Sequence, residues 1–156
     1  MLKKLSRLSV KVEGRYATEN ELQFINDYLS SVDSRISFYE KIREVEKEIV
    51  DVTIAKMRVE NKKIFSKDSM SIDEICIRDM KIILKALTTA ILIDDLERLK
   101  DGLLLWHLTI MRAMNVQNIS NIVYQTMLEV VKEHLNSEEE KFVIPALQAN
   151  QTILAA

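Results

Sequence analysis

Apolar residues recur at three- and four-residue spacing along nearly the whole chain, the signature of amphipathic helices rather than strands. Leu2, Leu5, Leu8 and Val12 form one stripe, and Leu22, Ile25, Leu29 and Val32 form a second. A long charged segment, from about 34 to 60, turns Ile36, Ile42, Val45, Ile49, Val52 and Val59 to one side. The polar stretch 62–70 predicts a loop, and a helix over about 72–93 follows it. A tight corner is expected at Asp94–Asp95, then a short helical piece ending near Asp101–Gly102. Leu103, Leu104, Leu108, Met111 and Met114 line the next helix, and Asn115–Asn118 make a turn. Ile119, Ile122, Val123, Met127, Val130 and Val131 line another, and a last helix follows Ser137 until Pro145 disturbs it. Thr18-x-x-Glu21, Ser71-x-x-Glu74 and Ser137-x-x-Glu140 read as capping boxes, in which a hydroxyl and a carboxylate reciprocally satisfy orphan N–H groups.

These eight or nine helices are of unequal length. Equal lengths would suggest an up-and-down bundle; the observed pattern predicts an all-α, globin-like packing in one domain over residues 1–156. The two N-terminal stripes cannot both be buried locally, so the helical pair within 1–33 is expected to cover another subunit. Composition sharpens the picture. Gly 2 and Pro 1 in 156 residues exclude a turn-rich β architecture. A formal net charge of -2 provides no field for nucleic acid or a membrane surface. A single cysteine excludes an intrachain disulfide or a multi-cysteine metal site. No apolar run approaches the ~18–20 residues a bilayer span requires, and the start MLKKLSRLSVKV lacks the apolar core of a secretory signal. A cytoplasmic protein is expected.

Candidate chemistry concentrates at Ile75-Cys76-Ile77-Arg78-Asp79-Met80. On the helix opened by Ser71, the residues Ile72, Ile75, Cys76, Ile83, Ala86, Leu87 and Ala90 make an inward stripe, and Asp79 falls on it one turn after Cys76. A carboxylate on an apolar face is costly unless a cation or several N–H donors meet it. Cys76 can hold such a partner covalently, or be a small core hydrophobe; Asp79 can equally pair with a lysine or arginine from elsewhere. Placement early in a helix favours the Cys76 thiolate. His107 beside an apolar stripe reads as ordinary packing or a surface contact, with a haem ligand as the competing reading. Trp106 reads as core. Glu40–Lys63, with alternating signs, reads as a solvated helix face. Phosphate-binding loops, H-E-x-x-H, G-x-S-x-G and convincing metal-ligand spacing are absent, so an enzyme is not expected.

Cys76-Ile77-Arg78-Asp79 resembles the C-[LA]-R-D sequence at the central bilin site of phycobiliproteins, the light-harvesting pigment proteins of phycobilisomes. The stretch KIILKALTTAILIDD (81–95) resembles that family's helix and closing corner, and Ala113-Met114-Asn115-Val116 its Ala-Leu-Gly-Val turn. MLKKLSR resembles the start of β-type chains, phycoerythrin β in particular, as does the helix containing Ile49, Val50, Asp51, Met57, Glu60 and Asn61. The resemblance covers roughly residues 1–135. It implies a globin-like fold with two extra N-terminal helices that pack on an α-type partner subunit, or in a homo-oligomer. It implies a bilin-binding phycoerythrin β-type pigment protein for light harvesting or light sensing, at the cytoplasmic face of the thylakoid membrane. It implies a thioether from Cys76 to a single phycoerythrobilin, with phycocyanobilin or another bilin as alternatives, attached with the help of a bilin lyase. Arg78 then pairs with a propionate, and Asp79 accepts hydrogen bonds from the pyrrole nitrogens.

The chain also departs from phycoerythrin β. Glu48 and Val59 stand where a doubly linked bilin attaches, and no cysteine follows Cys76. The loop before Cys76 is short and lacks the family's glycines and arginines, while Asp73 and Glu74 add negative charge. Thr89 replaces a typical aromatic and Gln117 a proline. The competing classes are a bilin-free helical interaction protein derived from the same fold and a haem-binding globin-like sensor. Cys76 with Arg78 and Asp79 argues against the first, and the lack of a histidine pair against the second.

Overall fold

The computed structural model describes residues 1–60 and 70–155. They form α1 (Leu2–Lys11), α2 (Glu19–Glu60), α3 (Met70–Leu92), α4 (Leu96–Leu99), a π-helical turn (Lys100–Leu104), α5 (Leu105–Ala113), α6 (Gln117–Glu133) and α7 (Ser137–Ala155). Among the described residues there is no strand. The architecture is the expected all-α, globin-like one. α2 packs most extensively on α3 and α6, and α7 closes the other side. Phe38, Ile49, Met57, Met80, Leu87, Met127, Val131 and Val143 fill the core between them.

The second short helix and the long charged helix are one element. Asp33–Ser34 contains no glycine or proline, and Arg35 locks the helix across that point. Its guanidinium is buried, donates to the Ile91 carbonyl and to Asp94 Oδ1 (3.3 Å), and lies 4.9 Å from the Phe142 ring. Tyr28 adds a hydrogen bond to the Leu92 carbonyl at 3.0 Å. The last two carbonyls of α3, those of Ile91 and Leu92, thus accept from α2 side chains. Along α2, Ile42 and Ile49 are buried as expected, whereas Ile36 and Val59 are exposed.

Both predicted corners form by the same device, the second over 114–116 rather than Asn115–Asn118, because α6 already begins at Gln117. Asp94 (φ 49) and Asn115 (φ 57) take the left-handed conformation, which Asp and Asn tolerate better than other side chains. Asp95 N–H then reaches back to the Ala90 carbonyl at 2.9 Å, and Val116 N–H to that of Met111 at 3.0 Å. Gly102 does not end a helix; it lies inside the π-helical turn that carries the chain straight into α5. The predicted loop over 62–70 lies outside the described residues except at Met70, which is already helical. Ser71 sits within α3, and the expected Ser71 cap lies outside what the described side chains cover.

The Thr18 box is present: Glu21 N–H meets Thr18 Oγ1 at 3.3 Å, and Thr18 N–H meets Glu21 Oε2 at 3.0 Å. Arg15, the Thr18 N–H and Lys11 together hold the Glu21 carboxyl well below the usual carboxylate range. The last box is shifted by one residue. Asn136, not Ser137, caps α7: its Oδ1 accepts from Glu139 N–H at 2.9 Å, and Asn136 N–H donates to Glu139 Oε2 at 2.9 Å. Glu139 is buried and ion-paired with Lys41 of α2 at 2.6 Å, and that ion pair selects the register. Pro145 does not end α7. Its missing hydrogen bond and ring clash cost about 3 kcal/mol, offset by burial of Val143, Ala146 and Leu147 around it.

Asn136→Ala should lower stability by about 1 kcal/mol, whereas Ser137→Ala should be nearly neutral; urea unfolding followed by circular dichroism measures both. Equal losses would return the cap to Ser137.

Candidate functional site

Three elements leave a gap on one side of the core. α3 forms one wall; α5 and α6, joined by the Asn115 corner, form the other. The gap is a cleft of about 570 Å³ lined mainly by apolar side chains. Cys76, Arg78, Asp79, Ile82 and Ile83 line it from α3; Trp106, His107, Ile110 and Met111 from α5; Ile119, Ser120, Val123 and Tyr124 from α6. The three site residues expected from sequence therefore share one wall of one cleft. Several large apolar side chains at this cleft are exposed: Ile75, Ile82, Met114 and Trp106, the last 60% accessible. Trp106 is not a core residue. The π-helical turn sets the register in which α5 presents it.

Asp79 is paired with its own sequence neighbour. Arg78 reaches back from the surface to place Nη2 2.8 Å and Nε 2.9 Å from Asp79 Oδ1. The carboxylate is 15% exposed and the guanidinium 67%, so one charge lies against the apolar cleft while its partner stands in water. An ion pair of that kind contributes little, about 0–1 kcal/mol. It is also easily exchanged for another partner of the carboxylate.

Cys76 is half-buried, and its thiol is pushed up to about 11, first by burial and then by the charges of Asp79 and Asp73. The early-helix position does not produce a thiolate; desolvation and two carboxylates outweigh the helix end. Asp73 is held in place by Arg58 of α2, and Glu74 points to solvent.

The other wall holds polar groups that the sequence reading did not assign to the site. His107 is buried, its Nε2 is 2.9 Å from Tyr124 Oη, and the two rings meet edge-to-face at 5.2 Å. Burial lowers the His107 pKa below its usual value, against the pull of Asp79. Burial raises that of Tyr124, reinforced by Asp79 and Cys76. With Nε2 engaged by the phenol, His107 does not offer that nitrogen to a haem iron, although its ring lines the cleft. The signal for this patch was Ser120-x-x-x-Tyr124, an i,i+4 pair of hydroxyls among the apolar residues of α6. Among the described residues no cluster of His, Cys, Asp and Glu could hold a metal.

The fold and cleft define a class: a globin-like helical protein with an apolar pocket walled by a cysteine-bearing helix. A family model for phycobilisome proteins matches residues 8–152, and the chain belongs to that family, one of bilin-binding, light-harvesting pigment proteins that assemble with further subunits. Membership implies a covalently held bilin chromophore rather than an enzyme's substrate. A search of curated proteins gave no match. Among the described residues no helix is long and apolar enough to cross a membrane.

A thiol at about 11 against an ordinary 9.0 carries roughly one hundredth of the usual thiolate at neutral pH. Alkylation of Cys76 by iodoacetamide at pH 7.5 should accordingly be ~100-fold slower than that of a free cysteine, and Asp73→Asn should accelerate it. A rate matching free cysteine would show the thiol to be unperturbed.

Proposed function

We propose that the chain is a β-type phycoerythrin subunit that carries one phycoerythrobilin, joined by a thioether to Cys76. The observation that carries this reading is the open apolar cleft with Cys76 and a weakly partnered Asp79 on the same wall. Its volume of about 570 Å³ suits a cofactor of tetrapyrrole size, within the ~300–1,000 Å³ usual for such sites. An open-chain tetrapyrrole has apolar ring edges, two propionates and a central set of N–H groups, matching the exposed Ile82 and Trp106, the mobile charge of Arg78 and the carboxylate of Asp79. When bound, it supplies absorption of visible light.

The chain's own residues have distinct tasks. Cys76 adds its S–H across an exocyclic double bond of ring A: sulfur bonds to carbon, the neighbouring carbon takes the proton, and nothing leaves. With so little thiolate available, a lyase would accelerate the step. Arg78, now paired with Asp79, would be available to a propionate, and Asp79 would accept from the pyrrole N–H groups and favour the protonated, cationic chromophore. A rigid cleft limits twisting and so favours emission over heat. With one cysteine in the chain, one thioether is the maximum. The uncovered apolar side chains Leu2, Leu5, Leu22 and Leu29 provide a surface for an α-type partner or a second copy, and such an assembly would work at the thylakoid surface.

Co-expression with phycoerythrobilin synthesis and a lyase should yield a zinc-fluorescent band on a denaturing gel. Cys76→Ala should abolish it; a band in both would remove Cys76 from the attachment site. Asp79→Asn should retain the band but shift absorption to the blue and weaken fluorescence, and an unchanged spectrum would show that Asp79 does not meet the pyrrole nitrogens. Another bilin would leave the band and alter the absorption maximum.

A further inference from the structure

The patch on α5 and α6 remains without a task in this reading. A buried imidazole and a buried phenol both cost desolvation free energy and persist where their polar atoms are used. Tyr124 Oη lies 2.9 Å from His107 Nε2, and the phenol keeps its proton, so it can donate to Nε2 of a neutral imidazole. Ser120 Oγ lies 3.5 Å from the same His107 nitrogen. In that arrangement the neutral imidazole carries its proton on Nδ1. Asp79 acts electrostatically on both His107 and Tyr124, so the two polar clusters share one cleft.

Resting on the bilin reading above, we propose that His107 is a further pigment-contact residue, positioned by Tyr124, whose protonation changes the colour and emission of the bound chromophore. With His107 neutral, the cleft favours a cationic pigment through Asp79. A protonated His107 places a second positive charge in the same low-dielectric space, competes for Asp79 and repels that cation. Acidification should therefore shift absorption to the blue and reduce emission. The titratable and charged groups lining the cleft with His107 are Cys76, Arg78 and Asp79 from α3 and Tyr124 from α6. The sign follows from burial, which outweighs Asp79 and moves the His107 transition below its ordinary 6.5. The neutral form holds above the transition and the cation below it.

The test pairs two readouts. In the pigment-free protein, imidazole proton NMR follows the two histidines, His107 and His134, with His107→Gln assigning the signals by subtraction. The His107 midpoint should fall below 6.5. Tyr124→Phe, which removes the donor to the neutral ring, should raise it by about half a pH unit. In the pigment-loaded protein, absorption and emission titrated from pH 7.5 to 5 should show a step that is absent in His107→Gln and moves upward in Tyr124→Phe. A merely structural role would leave that midpoint where it was. A Cys76-linked pigment without the step, or a step that survives His107→Gln, overturns this proposal alone. If Cys76→Ala still carries covalent pigment, or wild type carries none, the bilin site itself fails and takes the proposal with it. Should His107→Gln not fold, the unmoved midpoint in Tyr124→Phe serves as the overturning result.

Discussion

A single carboxylate against an apolar wall organises this molecule's chemistry. Asp79 has little exposure, and the cation it meets, Arg78, stands mostly in water. Such a charge is costly to desolvate, and a solvated neighbour offsets only part of that cost. The same charge raises the Cys76 and Tyr124 pKa values and pulls against burial at His107. Every polar group whose titration is perturbed in the cleft therefore senses Asp79. A ligand with N–H donors or positive charge at that point would relieve the strain of the arrangement, and a neutral hydrocarbon would not. On the proposed reading, this polarity, more than the shape of the cleft, makes it specific for a protonated pigment.

The carboxylate is held where it is by contacts well away from it. Arg35 and Tyr28 fasten the C-terminal end of α3 to α2, while Met80, Leu84 and Leu87 bury the α3 face behind the cleft wall. Those buried side chains contribute about 1.5–3 kcal/mol each, far more than the surface ion pairs. The wall that bears Cys76 and Asp79 is thus the outer side of a core helix, rigid because its inner side is packed. The opposite wall depends on the Asn115 corner, which returns α6 against α5. The π-helical turn adjusts the register of α5, so that Trp106 and His107 rather than their neighbours line the gap.

Much of this was legible from residue spacing. The corners at Asp94 and Asn115 were visible because Asp and Asn are residues that enter the left-handed region, and Cys76 with Asp79 was visible because an acid interrupted an apolar stripe. The misreadings share a cause: local rules were overridden by tertiary contacts. The break expected near residue 33 is absent because Arg35 is anchored to α3. The cap moved from Ser137 to Asn136 because Lys41 recruits Glu139. Pro145 is carried through α7 because the residues on both sides of it are buried. Trp106 was assigned to the core because large aromatics usually belong there, and periodicity alone does not distinguish a core face from a cleft-lining one. His107 and Tyr124 meet across two helices, which no local pattern reports.

Two groups of exposed apolar side chains differ in kind, and energetics separates them. At the cleft, Ile82, Met114 and Trp106 border a concavity, so a small molecule could cover them. On α1 no residue is buried, and the helix is held by exposed ion pairs, Lys3 to Asp101, Lys4 to Asp94 and Arg7 to Glu97, at 2.9–3.0 Å. Pairs of that type contribute about 0–1 kcal/mol each and weaken with salt. They orient α1 on its basic side without stabilising it strongly, and they leave Leu2, Leu5 and Val10 facing water. Such a helix is better suited to docking than to supporting the fold: the ion pairs set its direction, and its apolar side becomes stabilising only when another surface covers it.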